Sequence, residues 1–249
     1  MNYHCQKLKS GLYLVATPLG SARDITLRAL DVLCSCDALA AEDTRSMRKL
    51  LNIHNIPLKD RPILSYNDFN GDRVRPTIMN WLNSNMAVAY ASDAGMPLIA
   101  DPGYQLSKQA AEAGFYVTAV PGASACITAL SLSGLPTDRF FFEGFLPVGR
   151  EKRRQKLKEL SSIPSTLIFY ESPKRLIKMF EDLIAIMGEN RRVVIARELT
   201  KKFEQIISGT LGELHALILK KPLKGELVVL LDRPSVSYTH LTLPTILLV

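Results

Sequence analysis

Residues 90–103 carry the groups in this sequence that are best suited to bind a small molecule. The segment reads YASDAGMPLIADPG and follows an apolar run, where a strand should give way to a helix. Glycine lets a backbone approach a ligand closely, and proline holds that approach rigid. Carboxylates just beyond a strand end, here Asp93 and Asp101, can bind ribose hydroxyls or an amino group at the switch point of an open α/β sheet. We therefore predict a ligand loop, although Asp beside Gly or Pro also forms simple Asx turns.

Two further loops have a similar composition. Residues 17–20 read TPLG after an apolar run, and residues 121–124 read PGAS before a predicted helix. The first loop lacks both the GxGxxG fingerprint and the Walker lysine, which argues against a hydride-transfer enzyme or a nucleotide hydrolase. Ser124 has two interpretations: a plain helix cap, or a hydroxyl that meets a ligand carboxylate among the free N–H groups of a helix start.

Apolar runs and Gly/Pro turns alternate along the chain and predict the elements that position these loops. In the first half we expect Asp24 to cap a helix through Leu33, and we expect strands and helices to alternate as in a largely parallel sheet. In the second half strands cluster with fewer helices between them. The predicted strands are 12–16, 86–91, 116–120, 140–142, 167–170, 193–196, 203–207 and 227–231, and the predicted later helices are 105–113 and one from Ala125.

The chain is long enough for two α/β lobes with a ligand crevice between them. We predict an N-terminal lobe over residues 1–120 and a C-terminal lobe over 121–235. Residues 236–249, VSYTHLTLPTILLV, resemble translated adapter sequence and are predicted to be a non-native tail without function; a genuine terminal strand is the alternative.

Composition narrows the class of protein. There is neither an apolar run of about 20 residues nor a signal peptide, so we expect a soluble, cytoplasmic protein without a membrane segment. The four cysteines and four histidines are dispersed without zinc spacing, which predicts no metal site, and Cys34 and Cys36 are expected to be reduced thiols on a helix.

The net charge of +7 lies mostly in the second half, where residues 141–249 hold 18 Lys/Arg against 12 Asp/Glu. The densest run is residues 150–158, REKRRQKLK. Such a run suits contacts to nucleic-acid phosphates, for which Lys152, Arg153, Arg154, Lys156 and Lys158 are the candidates, but a solvated helix face has the same pattern.

An ordered series of motifs from about Gly11 to Leu231 resembles the tetrapyrrole methylase superfamily, and within it the branch that acts on ribosomal RNA. The motifs are LYLVATPLG with DITLRAL, AEDTR, SDAG, VPGASA, SGLPTDRF, EGFLP, ESP with RL, and ARELTKK. The chain departs from the usual pattern at Ser21-Ala22, Met96, Ala100, Ala123 and Lys174. The first departure bears on hydrogen bonding by that loop, because Ser reaches less far than Asn.

The resemblance implies a fold, a cofactor and a reaction. The fold is two α/β lobes with S-adenosylmethionine in the cleft between them, and the assembly is a homodimer. The implied reaction is methylation of the 2′-hydroxyl of a cytidine in the decoding region of small-subunit ribosomal RNA, with the 30S particle as the expected form of that substrate. The implied cofactor-binding residues are Pro18, Gly20, Ser92, Asp93, Ala94, Gly95, Asp101, Pro121, Gly122 and Ser124.

A ribose hydroxyl is a weak acid, so a base or a cation that stabilises the alkoxide should assist the reaction. The candidate catalytic residues are Glu42, Asp43, Arg45, Glu171, Arg197 and Glu198. Simpler roles compete with this one: Asp43 or Thr44 as a helix cap with Arg45 solvated, and Arg197 with Glu198 as a structural ion pair.

Two other functions stay open at this point. A methylase of the same superfamily that acts on a flat, acidic corrinoid or porphyrin would also suit a basic second lobe, although AEDTR and ARELT are typical of the RNA branch. A non-catalytic RNA-binding protein that has kept the fold would bind RNA without affinity for S-adenosylmethionine.

Overall fold

The computed structural model describes residues 3–234, and the predicted tail 236–249 lies outside that range. The strands are β1 Gly11–Val15, β2 Ala38–Ala41, β3 Ile63–Ser65, β4 Ala87–Ala91, β5 Val117–Val120, β6 Phe140–Phe145, β7 Thr166–Glu171, β8 Arg192–Arg197, β9 Gln205–Thr210 and β10 Leu227–Leu231. The helices are α1 Leu27–Ser35, α2 Thr44–Ile53, α3 Gly71–Asn83, α4 Tyr104–Glu112, α5 Ala125–Ser133, α6 Arg150–Ser161, α7 Pro173–Met187 and α8 Leu211–Lys220.

The first sheet has the order β3-β2-β4-β1-β5, and all its neighbouring strands are parallel. Alternate residues of each strand face opposite layers of helices. Tyr13 and Val15 pack with α1 and α2, whereas Leu12 and Leu14 pack with α3 and α4. Burial on both faces explains why these strands are apolar throughout.

The second sheet has the order β6-β7-β10-β8-β9, with β6 and β7 parallel and the other pairs antiparallel. One face packs against α6, α7 and α8, and the other packs against α5. The α/β class with two sheets confirms the predicted fold. The boundary after residue 120 stays a prediction, with which the packing of α5 on the second sheet agrees.

Several local predictions were wrong in detail. Asp24 ends a short 3-10 turn, and Thr26 caps α1 by accepting a hydrogen bond from Ala29 N. The strand expected at 203–207 is β9, which begins at Gln205 because a turn occupies the preceding residues. Among residues 3–234, none of the helices is long and apolar enough to span a membrane.

The cysteine prediction was also wrong. Cys34 forms a disulfide with Cys5, and the two Cα atoms are 5.6 Å apart. The N-terminal segment lies along α1, where His4 N donates to Asp31 Oδ1 and Gln6 N donates to Ser35 Oγ, and this brings Cys5 to Cys34. Cys36 is a buried free thiol, as expected, and burial raises its pKa to about 11.

Candidate active site

The loops that follow β1, β2, β4 and β5 meet at one edge of the first sheet, because parallel neighbours end at the same edge. Two of these loops are joined directly. Thr17 N donates to Gly95 O at 2.9 Å, and Gly95 N donates to Thr17 O at 3.0 Å. The β1 loop and the predicted ligand loop after β4 are therefore one fixed unit.

An interlobe cavity of about 400 Å³ opens beside this unit. Both lobes line it, and its volume is typical of small-molecule sites. The predicted site residues on its wall are Glu42, Asp93, Ala94, Gly95, Asp101, Ser124 and Glu171. The cleft between lobes that the sequence predicts is thus present, with residues from several separate loops around it.

A smaller pocket of about 220 Å³ adjoins the interlobe cavity, since Leu19 and Asp93 line both. It lies between the β1 loop and α2. The predicted residues on its wall are Pro18, Gly20, Asp43, Ser92 and Asp93. The predicted cofactor residues are therefore divided between two adjoining spaces.

Carboxylates dominate the polar part of the interlobe cavity. Burial is the main cause that raises the pKa of Glu42, of Asp93 and of Glu171. Burial, followed by the nearby charge of Glu42, raises the pKa of Asp101 from 3.8 to about 6. In a protein of net charge +7, this cavity concentrates negative charge, and a cationic ligand would relieve the mutual repulsion.

Glu171 is almost fully buried at the end of β7. Its Oε1 accepts a hydrogen bond from Ser172 N at 2.8 Å. Arg175 Nη2 lies 3.2 Å from Oε2 but donates to the Leu146 carbonyl, so Oε2 has no hydrogen-bond partner among the described residues. A buried carboxylate oxygen without a donor is a position where a ligand N–H or O–H group would restore a hydrogen bond.

Asp43 and Arg45 form a fixed pair at the start of α2. Asp43 caps the helix by accepting from Arg45 N, and its two oxygens accept from Arg45 Nε and Nη2. The helix-cap role is therefore present. The Arg45 side chain is nevertheless 90% exposed, so its outer N–H groups point away from Asp43 and are available to an anion.

Arg197 and Glu198 do not pair with each other. Arg197 Nε donates to Lys224 O, and Glu198 Oε1 accepts from Glu226 N and pairs with Lys201. These contacts tie the end of β8 to the loop before β10, which lines the interlobe cavity at Gly225 and Glu226. Neither residue lines either cavity, and a catalytic role for them stays a prediction.

Five predicted cofactor residues do not line the interlobe cavity; Pro18, Gly20 and Ser92 line the smaller pocket instead. Pro121 and Gly122 are exposed before α5 and line neither space. Gly20 contacts the second lobe so closely that a Cβ at this position would clash with Lys201 Cγ. The neighbouring Ser21 N donates to Thr200 Oγ1 at 3.1 Å, so this loop joins the two lobes.

The aromatic wall of the cavity, formed by Phe145 and Tyr170, was not predicted from the sequence. Their rings meet edge to face at 5.7 Å, and the Tyr170 hydroxyl accepts from Cys126 N at the start of α5. Ser124 occupies the N-cap position of α5, but its hydroxyl lies 3.2 Å from Cys126 Sγ instead of capping the helix. The EGFLP and ESP motifs mark these strand ends, yet strand ends alone do not show which aromatic side chains face a ligand.

We expect Asp101→Asn to stabilise the ligand-free protein at pH 7.5, and we expect the gain to vanish near pH 4. The pKa of Asp101 is raised to about 6 in the folded state, so the folded protein holds the proton more tightly than the unfolded chain does. Asp101 therefore contributes most to stability below about pH 4, where it is protonated in both states, and that contribution falls as the pH rises from about 4 to 6. The gain should be on the order of 1 kcal/mol, given partial exposure. Thermal melts at both pH values measure it, with the exposed Asp60→Asn as control; an equal gain at both pH values would contradict it.

Comparison with known proteins confirms the class that the loops and the cavity indicate. The family model of the Tetrapyrrole (Corrin/Porphyrin) Methylases matches residues 11–215. Among solved structures, cobalt precorrin-4 methyltransferase, a cobalamin biosynthetic enzyme, has a TM-score of 0.68 at 17% identity, covering 89% of this chain and 94% of that one. Diphthine synthase has a TM-score of 0.68 at 16% identity, covering 89% of each chain. At these identities the two structures show the fold alone.

Sequence relatives narrow the class further. The chain is 44% identical over 231 residues to ribosomal RNA small subunit methyltransferase I of Halalkalibacterium halodurans. The aligned region covers 93% of this chain and 78% of that relative. It is 47% identical over 221 residues to the protein of the same name from Vibrio cholerae, with 88% and 76% covered. The chain therefore belongs, within the tetrapyrrole methylases, to the ribosomal RNA small subunit methyltransferase I family.

Proposed function

We propose that this protein uses S-adenosylmethionine to methylate the 2′-hydroxyl of a cytidine in the decoding region of small-subunit ribosomal RNA. The observation that carries the proposal is the carboxylate-lined interlobe cavity at the carboxyl edge of a parallel sheet, in a chain whose relatives are named ribosomal RNA small subunit methyltransferase I.

The residues of the interlobe cavity fit S-adenosylmethionine. Glu42, Asp93 and Asp101 offer negative charge to a cationic ligand, and Asp101 would also accept hydrogen bonds from ribose hydroxyls. The start of α5, with Ser124 and Ala125 on the wall, suits a carboxylate. When bound, the cofactor supplies a methyl group already activated by its sulfonium.

The adjoining pocket fits the other substrate. Asp43, Ser46 and Lys49 give it polar groups, while Pro18 and Leu50 give it an apolar side on which a base or sugar can lie. Methyl transfer needs the ribose oxygen held in line with the methyl group, and a nucleotide pocket that adjoins the cofactor cavity supports that arrangement.

Glu42, on the wall of the interlobe cavity, and Arg45, at the start of α2 outside both spaces, have complementary properties. Burial raises the pKa of Glu42 and brings it closer to that of an effective general base, which accepts the hydroxyl proton. The exposed guanidinium of Arg45, held in place by Asp43, stabilises developing negative charge. We assign these two roles as part of the proposal.

Mass spectrometry of 16S ribosomal RNA tests the function directly. RNA from a strain lacking this gene should lack one 2′-O-methylcytidine in the decoding region, and the wild-type gene should restore it. A gene carrying Gly95→Val serves as a folded, cofactor-deficient control. An unchanged methylation pattern after deletion would refute the proposal.

Within the basic run 150–158, the prediction that Arg153 contacts RNA phosphates is wrong. Arg153 is buried and bonded to Asp182 on α7, so it is not available to phosphates. Lys152 and Lys158 are exposed on α6, and neither forms an ion pair within residues 3–234. They are the stronger candidates for phosphate contacts.

We expect Lys152→Ala with Lys158→Ala to weaken RNA binding and to flatten its salt dependence by up to about 0.9 log units for each duplex phosphate that these lysines neutralise. Affinity for S-adenosylmethionine should not change. Filter binding of 30S particles across a salt series measures the slope. The exposed pair Lys220 and Lys221, at the end of α8, is the control with equal charge loss; equal slopes in both variants would show that α6 is only a solvated face.

The proposal includes the assembled 30S particle as substrate, a homodimer as the active form, and the cytoplasm as the location where ribosomal subunits are modified. Exposed apolar side chains support the dimer: Ile127 and Leu132 on α5, with Phe140 and Phe141 on the edge strand β6, remain accessible in the single chain. Sedimentation of the purified protein tests this assembly.

A further inference from the structure

One aromatic side chain on the carboxyl edge of the first sheet is fully accessible. Phe69, in the loop between β3 and α3, has a relative exposure of 102%. Most large apolar side chains in this lobe are buried between the sheet and its helices. A single exposed phenylalanine is common on protein surfaces and indicates no function by itself. Here, however, the loop that carries the ring is fixed by hydrogen bonds and lies beside the candidate active site.

The loop that carries Phe69 is held by its own hydrogen bonds. Asn67 Oδ1 accepts from Phe69 N at 3.1 Å and from Asn70 N at 3.2 Å. Asn70 Oδ1 accepts in turn from Asn67 N at 2.9 Å, and Asn70 Nδ2 donates to Ser65 O at 3.0 Å. The backbone under the ring is thus fixed before any partner arrives, which reduces the entropy lost on binding.

The same network reaches the proposed active site. Ser65 Oγ accepts from Asn67 Nδ2 at 3.2 Å and donates to Glu42 O at 2.8 Å. Since β3 and β2 are neighbours, the Phe69 loop flanks the segment Glu42–Asp43. Two strand spacings, about 10 Å, separate β3 from β4 and its loop with Asp93.

Exposed cations on the two helices that begin at this edge of the sheet suit an anionic polymer. Arg45, Arg48 and Lys49 on α2 and Arg73 on α3 are exposed. Of the acids at this edge, Asp72 is paired with Arg75 at 2.6 Å and Asp43 with Arg45 at 2.7 Å, and Asp68, which precedes Phe69 in the chain, is exposed. Proteins hold unpaired nucleotides with aromatic faces on which bases stack and with cations that contact phosphates, and this edge of the sheet carries both kinds of group.

We infer that Phe69 is a stacking platform for an unpaired base of the RNA substrate, next to the nucleotide that is methylated. This inference rests on the proposed function and adds a contact to it. Sequence-tolerant stacking fixes where the strand lies, and the adjoining pocket then receives the reacting nucleotide. Phe69 is thereby a positioning residue that acts on RNA and not on the cofactor.

Replacing Phe69 with alanine tests the platform in a methylation assay. With 30S particles from a strain lacking the gene, Phe69→Ala should raise KM for the particle by about 5- to 150-fold, the range expected for losing one stacked base. The kcat, the affinity for S-adenosylmethionine and the melting temperature should stay at wild-type values. Phe69→Trp should restore KM, and Leu219→Ala, an exposed apolar side chain on α8, is the matched control.

A second measurement separates this inference from the proposed function. Binding of a fluorescein-labelled single-stranded RNA oligonucleotide to wild type and Phe69→Ala, read by anisotropy, does not require methylation. If wild type fails to methylate 30S particles, the proposed function fails, whereas weaker oligonucleotide binding by Phe69→Ala still supports the platform. Unchanged KM and unchanged oligonucleotide binding in Phe69→Ala would overturn the inference. Loss of the dimer by Phe69→Ala in sedimentation would also overturn it, because the ring would then be a contact between two copies of the chain.

Discussion

Gly95→Val is expected to abolish binding of S-adenosylmethionine while the protein still folds. Gly95 has a φ of +83°, a backbone conformation that valine adopts only under strain, and a Cβ there would lie 3.2 Å from Leu19 Cδ2. The strain would break the two hydrogen bonds between Gly95 and Thr17 and displace the loop that carries Asp93. Isothermal titration calorimetry with the cofactor measures the loss of affinity.

Gly114→Val is the matched control for Gly95→Val. Gly114 has a φ of +78°, but a Cβ there meets no atom within 4 Å, and it lies between α4 and β5 away from both cavities. It should lower stability by the same backbone strain of about 1–2 kcal/mol and keep full affinity. Unchanged affinity in a folded Gly95→Val protein would show that this loop does not form the cofactor site.

Arg153→Ala is expected to destabilise the protein by about 3–5 kcal/mol, the largest stability effect that we foresee. Arg153 Nε and Nη2 donate to Asp182 Oδ2 at 2.9 and 2.6 Å, with both side chains at most 5% exposed. Removing Arg153 leaves a buried carboxylate whose remaining neighbours, Arg150 and Arg154, lie 3.5 and 3.8 Å away. Urea unfolding measures the free energy of unfolding.

The double change Arg153→Met with Asp182→Leu separates the cost of a missing partner from that of a missing ion pair. Apolar groups of similar volume should recover most of the stability, because the attraction within a buried ion pair offsets little more than the free energy needed to remove its two charges from water. Lys152→Ala, next in the chain and exposed, should change the free energy of unfolding by less than about 0.5 kcal/mol. An Arg153→Ala protein as stable as Lys152→Ala would contradict the buried pair.

The core strands and the ligand loop could be predicted because each follows from local pattern. Apolar runs that end in Gly/Pro loops located β1, β4 and β10 nearly to the residue, and the acids of residues 90–103 do line the interlobe cavity. The burial of Arg153 could also have been predicted, since it lies on the same face of α6 as Leu157 and Leu160. The many charged residues of this helix made its apolar face hard to recognise in the sequence.

Other features depend on contacts between distant segments. Phe145 and Tyr170 join one wall only because β6 pairs with β7, and the Cys5–Cys34 disulfide depends on how the N-terminal segment lies along α1. No spacing within a single segment contains this information.

The contact of Gly20 with Lys201 and Thr200 sets the distance between the two lobes where the β1 loop meets the loop after β8. The width of the cleft is thereby a joint property of one residue in the first lobe and two in the second. A chimera that combines lobes from two relatives would keep a working cleft only if it inherited this set together. The glycine thus constrains which pairs of lobes are interchangeable, independently of any residue that touches a ligand.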